Sequence, residues 1–229
     1  MPRPSQLASC TLSTVRATLL AACLAFASSG CGELPEQPSP SAVPEFSEMP
    51  ELADEANAGD AEAIARLRLA AEHGVEMAGR IVGGLYRRGA PGVPRDGAEA
   101  VKWYRRCALE GDRSCQFALA TMFDSGVDVP QNYAEAARWR LLLAEQGSTS
   151  DQLIISHLYI EGQGVPQDYV QAHMWANLVA ANSDDDDEAS AAIGIRADVE
   201  AQMNATQVTD AQRLALEWKP KTWNELKER

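Results

Sequence analysis

The sequence predicts an all-α fold, an α-solenoid of stacked antiparallel helix hairpins, because one residue pattern recurs at a constant spacing. The pattern includes a tryptophan and a proline that each return after 36 residues, at Trp103, Trp139 and Trp175 and at Pro94, Pro130 and Pro166. Such a period is typical of repeat architectures, in which small units stack side by side. We therefore predict a solenoid over residues 51–182, followed by a C-terminal capping helix hairpin over residues 183–229.

Each repeat is predicted to begin with a helix, helix A, whose apolar residues are spaced three and four apart. The apolar residues are Phe117, Leu119, Met122 and Phe123 in the second complete repeat, and Ile154, Ile155, Leu158 and Tyr159 in the third. Gly126 and Gly162 can adopt the left-handed conformation that ends a helix, and the Val-Pro pair that follows each of them keeps the chain extended.

The second helix of each repeat, helix B, is predicted from the residues at its two ends. Asp96, Asn132 and Asp168 stand where an N-cap side chain accepts a hydrogen bond from the first free amides. The glycines that end helix B are Gly74, Gly111 and Gly147. A hairpin of this size cannot bury its own apolar face, so it must stack on neighbouring hairpins.

These residues resemble the Sel-1-like repeats, which are helical relatives of the tetratricopeptide repeats. The resemblance covers roughly residues 60–182, and it is most complete from Leu158 to Trp175, which contains Gly-Val-Pro-Gln-Asp-Tyr. The first complete repeat departs from the pattern, with an extra loop residue at 90–92 and with Gly97 where a tyrosine is usual. The resemblance implies a helical protein of the bacterial lipoprotein type.

Residues 1–30 are predicted to be a signal peptide, because two arginines and no acidic residue accompany an apolar run that is too short to span a bilayer. Two processing sites are open. Cleavage could follow Ala27, or Cys31 could be the acylated first residue of a lipoprotein, which is the reading we favour. Residues 31–50 contain five prolines and are predicted to be a tether.

The composition indicates an exported protein that binds neither nucleic acid nor an anionic membrane surface. The net charge is −13, which repels both kinds of polyanion. Contact with a membrane is expected only through the N-terminal lipid anchor. We therefore expect a bacterial cell-envelope protein, anchored in the outer membrane and facing the periplasm, whose partner is another protein.

Two cysteines of the predicted solenoid are expected to form a disulfide. Cys107 falls in the last turns of one helix B and Cys115 at the start of the next helix A, so the turn at Gly111 folds them toward each other. The spacing is also similar to that of cysteine-rich Sel-1-like proteins. A redox or metal site is the alternative, although two thiols without a nearby histidine make a poor zinc site.

The C-terminal region begins with an acidic run, Asp184 to Glu188. The run lacks the alternating ligands and the glycine of a calcium loop, and acidic residues favour a helix N-terminus. We expect a helix from Glu188 to Met203 and a last helix that Thr206 caps and that ends at Trp218. A short tail after Trp223 would continue it or fray.

The sequence predicts no catalytic site, cofactor or metal, so we expect a protein that is not an enzyme. His157 and His173 could lie level across one hairpin, but no third ligand accompanies them. The Ser-x-x-Lys, Ser-Asp-Asn and Lys-Thr-Gly motifs of β-lactam-binding enzymes are absent from the sequence. The repeated tryptophans could form a carbohydrate-stacking stripe, but their place on helix B favours the core.

Two functions remain after these exclusions. The first is a non-catalytic interaction scaffold or adaptor that binds a partner on the concave face of the solenoid. The helix A residues expected to contact the partner are Arg80, Arg87, Arg113, Gln116, Gln152 and His157. The alternative is a cell-wall or carbohydrate-binding module, with or without weak hydrolase activity, which would require exposed repeat tryptophans.

Overall fold

A computed structural model describes residues 43–227, and within this range the chain is helical without β-strands. A short 3-10 turn, Phe46–Glu48, precedes the first helix. The helices are α1 Met49–Ala58, α2 Ala61–Glu72, α3 Ala78–Arg88, α4 Gly97–Leu109, α5 Arg113–Ser125, α6 Tyr133–Glu145, α7 Thr149–Glu161, α8 Tyr169–Asn182, α9 Asp186–Glu200, α10 Ala205–Glu217 and α11 Trp223–Leu226. None of these helices is long and apolar enough to cross a membrane.

The helices stack as antiparallel hairpins, which confirms the predicted α-solenoid. From α1 to α8, each helix packs on the next one along the chain, so that α1/α2, α3/α4, α5/α6 and α7/α8 are successive hairpins. Helices α9 and α10 both pack on α8 and cover the C-terminal end of the stack. The apolar core is correspondingly divided into clusters that each join neighbouring hairpins.

The predicted capping residues begin and end the helices as expected. The side chains of Asp96, Asn132 and Asp168 accept hydrogen bonds from backbone N–H groups in the first turns of α4, α6 and α8. Gly126 and Gly162 end α5 and α7 with φ angles of 66° and 68°. A side chain in this left-handed region would be strained, which explains glycine at both positions.

The repeat tryptophans belong to the core, as their place on helix B indicates. Trp139 is 1% exposed and Trp175 is 3% exposed, while Trp103 is partly buried against the first core cluster. Ala100 and Ala172, three residues before Trp103 and Trp175, are fully buried. Because two of the three indoles are inaccessible, the carbohydrate-stacking stripe loses the exposed aromatic surface that it requires.

The N-terminal boundary of the solenoid lies earlier than predicted. The predicted tether extends to Pro50, but residues 46–50 are already helical and Met49 is fully buried with Leu52. Pro50 lies in the first turn of α1, where proline is tolerated because that backbone N–H has no partner within the helix. The sequence prediction placed Pro50 in the linker, although this proline lies at the start of a helix.

The C-terminal helices also differ in detail from the prediction. Asn204 caps α10 in a capping box with Gln207, so the predicted cap at Thr206 is wrong. Asp185 caps α9, and the Glu188 carboxylate accepts hydrogen bonds from Ser150 and Ser183. The acidic run therefore caps α9 and attaches it to α7 through Ser150. The segment after α10 forms the four-residue helix α11.

Candidate functional site

The candidate site is a surface that α3 and α5, two successive helices A, form together. Arg80 and Arg87 are two helical turns apart and share one face of α3, and Ser114 and Thr121 share one face of α5 in the same way. The Arg80 guanidinium donates a hydrogen bond of 3.1 Å to Ser114 Oγ and so joins the two helices. We call this surface, with an open cavity at each end, the α3–α5 groove.

The first cavity lies at the N-terminal ends of α3 and α5 and has a volume of about 640 Å³. Its lining includes Arg80, Arg113 and Ser114. Arg113 is exposed and makes no hydrogen bond or ion pair with any residue in the range 43–227. Acidic residues line the same cavity, namely Glu76, Glu110 and Asp112. The Asp112 carboxylate is engaged, because it accepts the backbone N–H of Cys115 and caps α5.

The second cavity, of about 630 Å³, lies at the C-terminal ends of the same helices. Arg87 Nε donates to Asp128 Oδ2 over 2.9 Å, and Arg95 pairs with the other oxygen of the same carboxylate. Arg88 is exposed and its nearest polar contact is the Asn57 side-chain oxygen, at 3.5 Å. Three arginines thus line this cavity, and two of them pair with its one carboxylate.

Asp128 is the acidic centre of the second cavity, and its side chain is only 5% exposed. Burial by itself would raise the pKa of this carboxyl, but the hydrogen bonds and charges of Arg95 and Arg87 outweigh burial and hold the pKa below its usual value. Burial raises the pKa of the nearby Tyr104 phenol, although Arg87 and Arg88 oppose the shift. Asp128 is therefore ionised and ties a loop of one repeat to the preceding repeat.

Two of the predicted partner-binding residues, Gln116 and Gln152, are structural, and that prediction is wrong. They are 0% and 2% exposed. Gln116 Nε2 donates to the carbonyl of Ala108 and Gln152 Nε2 to the carbonyl of Ala144, each over 3.1 Å. The two bonds are equivalent in successive repeats, and each satisfies a carbonyl near the end of helix B that has no partner within the helix.

The remaining candidate residue, His157, is exposed on α7, at the position that Thr121 occupies one repeat earlier. His173, its proposed companion, is fully buried, and its Nε2 lies 2.7 Å from Glu200 Oε1 of α9. The two histidines therefore do not form a site together. Within the described part of the chain, no group of three histidine, cysteine or acidic side chains could hold a metal ion.

One of the two solenoid cysteines, Cys107, borders the first cavity. Cys107 and Cys115 form a disulfide, with 2.02 Å between the sulfurs and 6.0 Å between the Cα atoms. Cys107 lines the cavity that contains Arg80, and the bond fixes the turn from α4 to α5. The predicted lipid anchor, Cys31, lies outside the described residues.

Sequence reasoning missed several residues of the groove. Arg88, Arg95 and Asp128 complete the second cavity, and Ser114 bridges the helices in the first. An available signal was the clustering of Arg87, Arg88 and Arg95 within a strongly acidic chain. The partner of this cluster, Asp128, lies one repeat later and no local pattern indicated it.

Comparison with known proteins identifies the repeats. The model of the Sel1 repeat family matches residues 80–112, 113–148 and 152–184. No curated protein matches the chain significantly.

Two solved structures are similar in fold. A Sel1 repeat protein from Oxalobacter formigenes is 23% identical over 79% of this chain and 75% of its own, with a TM-score of 0.53. A protective antigen of uropathogenic Escherichia coli strains, described as having an SLR fold, is 24% identical over 80% of this chain, with a TM-score of 0.47. This chain spans only 47% of that antigen.

The family matches begin in α3 and end just after α8, so they coincide with the three hairpins that the tryptophans mark. The matched residues include all three arginines of α3 and the whole of α5. Residues 80–184 therefore contain three consecutive Sel1 repeats.

Proposed function

We propose that this chain is a non-catalytic scaffold or adaptor of the bacterial cell envelope, which holds a protein partner on the concave, helix A face of its solenoid. Sel1 repeat proteins are generally protein-interaction scaffolds and are typically non-catalytic. The observation that carries the proposal is the α3–α5 groove. Arg80, Arg88 and Arg113 have no carboxylate partner among residues 43–227, although the chain has a net charge of −13.

The chemistry of the groove favours a partner segment that bears carboxylates. A guanidinium group binds a carboxylate through two parallel hydrogen bonds, which gives both charge attraction and a fixed orientation. Eight residues of α-helix separate Arg80 from Arg88, a rise of about 12 Å. Two carboxylates at a similar separation could therefore bind at both ends of the groove. His157 extends the same face onto the next repeat.

Anchoring at the membrane is the second part of the proposal. Cys31 would carry the acyl chains, and an extended segment from Cys31 to Glu45 would span at most about 45 Å. The acidic solenoid would be repelled by anionic headgroups and held in the aqueous space. Intact mass of the protein extracted from envelopes tests this directly: we expect acylation of Cys31, and an unmodified N-terminus at Ser28 would exclude it.

Site-specific photo-crosslinking in intact cells tests the proposed binding face. A photoreactive residue at Thr121 would lie in the groove, whereas one at Lys102 would lie on an exposed part of α4, a helix B. We expect a partner to be captured from position 121 and not from position 102. Capture that is equal at both positions, or confined to position 102, would exclude the groove as the binding face.

A further inference from the structure

The last described residues return across the solenoid instead of leaving it. We call Trp218–Leu226 the strap. Three of its residues, each three positions apart, contact the earlier repeats: Pro220, Trp223 and Leu226. Trp218 fixes the start of the strap, because its ring packs edge to face on Trp175, with 5.9 Å between the ring centroids.

The first two contacts are made at equivalent positions of successive repeats. Pro220 packs on Gly147 and Trp223 packs on Gly111, the glycines that end α6 and α4. The Trp223 ring lies 2.7 Å from the place where a Cβ on Gly111 would be, and Pro220 lies 3.3 Å from the corresponding place on Gly147. The strap therefore contacts the turn after helix B in each of two successive repeats.

The backbone of the strap also forms a hydrogen bond with an earlier repeat. The backbone N–H of Lys221 donates over 2.8 Å to the carbonyl of Glu145, the last residue of α6. The ammonium group of Lys221 lies 3.1 Å from the Glu145 carboxylate. A carbonyl at a helix C-terminus lacks a partner within the helix, so it is a ready acceptor for an extended segment.

The third contact buries an apolar side chain. Leu226 is 5% exposed, and with Trp223 it borders a cavity of about 520 Å³. The opposite wall includes Leu109, Trp139 and Leu142. This arrangement, together with the turns at Gly111 and Gly147, forms a surface that we call the turn edge. It uses the ends of α4 and α6, whereas the α3–α5 groove uses helices A.

The strap is held in a way that permits its release. Helix α11 has four residues, far fewer than the roughly 12 to 15 that an isolated helix needs for even marginal stability. Its retention depends on the side-chain contacts and the Lys221 bond, and segments with few buried contacts open well before the rest of a protein unfolds.

We propose that the turn edge is a second docking surface, for a partner segment with the pattern Pro-x-x-Trp-x-x-Leu, and that the strap is its intramolecular ligand. The fit of this chemistry to the surface is seen in the strap itself. A partner segment with the same three side chains would occupy the turn edge when the strap is released. While bound, the strap competes at high effective concentration and keeps the surface closed to weaker segments.

A fluorescein-labelled peptide copying residues 218–227 tests the proposal in fluorescence polarisation with the full-length chain. Trp223→Ala weakens the strap, so the peptide should bind this variant at least tenfold more tightly than the wild-type chain. Adding Leu109→Asp, which places a charge in the wall of the cavity, should abolish the gain. Leu216→Asp, at an exposed site on α10, is the matched control and should not change it.

Three results would overturn the proposal. The first is equal affinity of the peptide for the wild-type chain and Trp223→Ala. The second is undiminished binding of a peptide whose second tryptophan is alanine. The third is a dimer of the wild-type chain that the peptide dissociates, because a second copy of this chain would then be the occupant. Circular dichroism of each variant ensures that the comparison is made between folded chains.

Discussion

At the scale of single residues, the buried glutamines stabilise each junction from a helix B to the next helix A. The Gln116 and Gln152 amides are satisfied in the interior because each donates to a helix carbonyl, which also accepts the backbone N–H of the following turn glycine. A buried polar group without such a bond would be costly. The same contact at equivalent positions of two repeats indicates that it belongs to the construction of the solenoid.

Replacing Gln152 with alanine tests this role. We expect the free energy of unfolding to fall by about 1 to 3 kcal/mol, because the carbonyl of Ala144 loses a buried donor and a space remains. Urea denaturation followed by circular dichroism measures the change. Gln202→Ala, at an exposed position after α9, should stay within about 0.5 kcal/mol of the wild-type protein. Equal effects of the two changes would contradict the structural role.

Asp128 gives a prediction that depends on pH. Asp128→Asn should lower stability at pH 7 by about 1 to 2 kcal/mol, less than for a fully buried pair because Arg95 is largely exposed. The folded-state pKa lies below the unfolded value of about 3.9, so the contribution is present above that value and disappears as pH falls through the folded pKa. Urea titrations of both proteins from pH 7 to pH 3 should show the difference closing. A constant difference would contradict this account.

The residues of the site could be predicted only in part. The repeat period shows which residues occupy equivalent positions, but it does not show which side of the helix faces the groove and which faces the core. Arg80 and Arg113 were chosen as helix A residues and do line one cavity. Gln116 lies two residues after Ser114, which is about 200° around the helix, so the two side chains point to opposite sides. Ser114 faces the groove and Gln116 faces the core.

At the scale of elements, the repeat pattern predicted the helices well because their end signals are local. Glycines in left-handed conformations and capping aspartates act within a few residues, so they can be recognised without knowledge of the fold. The first residues of α1, Met49 and Pro50, were assigned to the tether because this helix carries none of the repeat tryptophans or Val-Pro pairs. Its assignment depends on Met49 and Leu52 packing against later helices, which is a property of the folded chain.

The turn from α4 to α5 lines the first cavity, contacts Trp223 and is spanned by the disulfide. Replacing both Cys107 and Cys115 with serine should lower the free energy of unfolding by about 2 to 3 kcal/mol, as the chain-entropy model gives for a loop this short. Thermal unfolding measures the loss, and the helical signal at 25 °C should persist. Peptide mapping after thiol labelling of the unreduced, unfolded protein should find neither cysteine labelled; labelling of both would contradict the pairing.

At the scale of the whole molecule, stacking brings together side chains that are remote in sequence. Arg87 meets Asp128, 41 residues later, and Arg80 meets Ser114, 34 residues later. Each pair joins one repeat to the next, so the groove exists only in the assembled solenoid. The sequence shows several arginines on an acidic chain, but their arrangement into one site depends on how the repeats pack.

The central claim is that the α3–α5 groove holds the partner through its arginines, and it predicts a specific effect of charge. Reversing Arg80, Arg88 and Arg113 to glutamate together should repel a carboxylate-bearing segment while leaving the repeats folded, because none of the three pairs with a carboxylate among residues 43–227. A charge-matched control reverses Arg105, Arg138 and Arg213, which lie on α4, α6 and α10. Circular dichroism should show wild-type helicity for both triple variants.

The most direct measurement is crosslinking in intact cells with the wild-type chain and both triple variants, with the captured proteins identified by mass spectrometry. We expect that reversal of Arg80, Arg88 and Arg113 removes the partner captured by the wild-type chain and that the control variant retains it. An unchanged set of captured proteins with the groove variant would contradict the account.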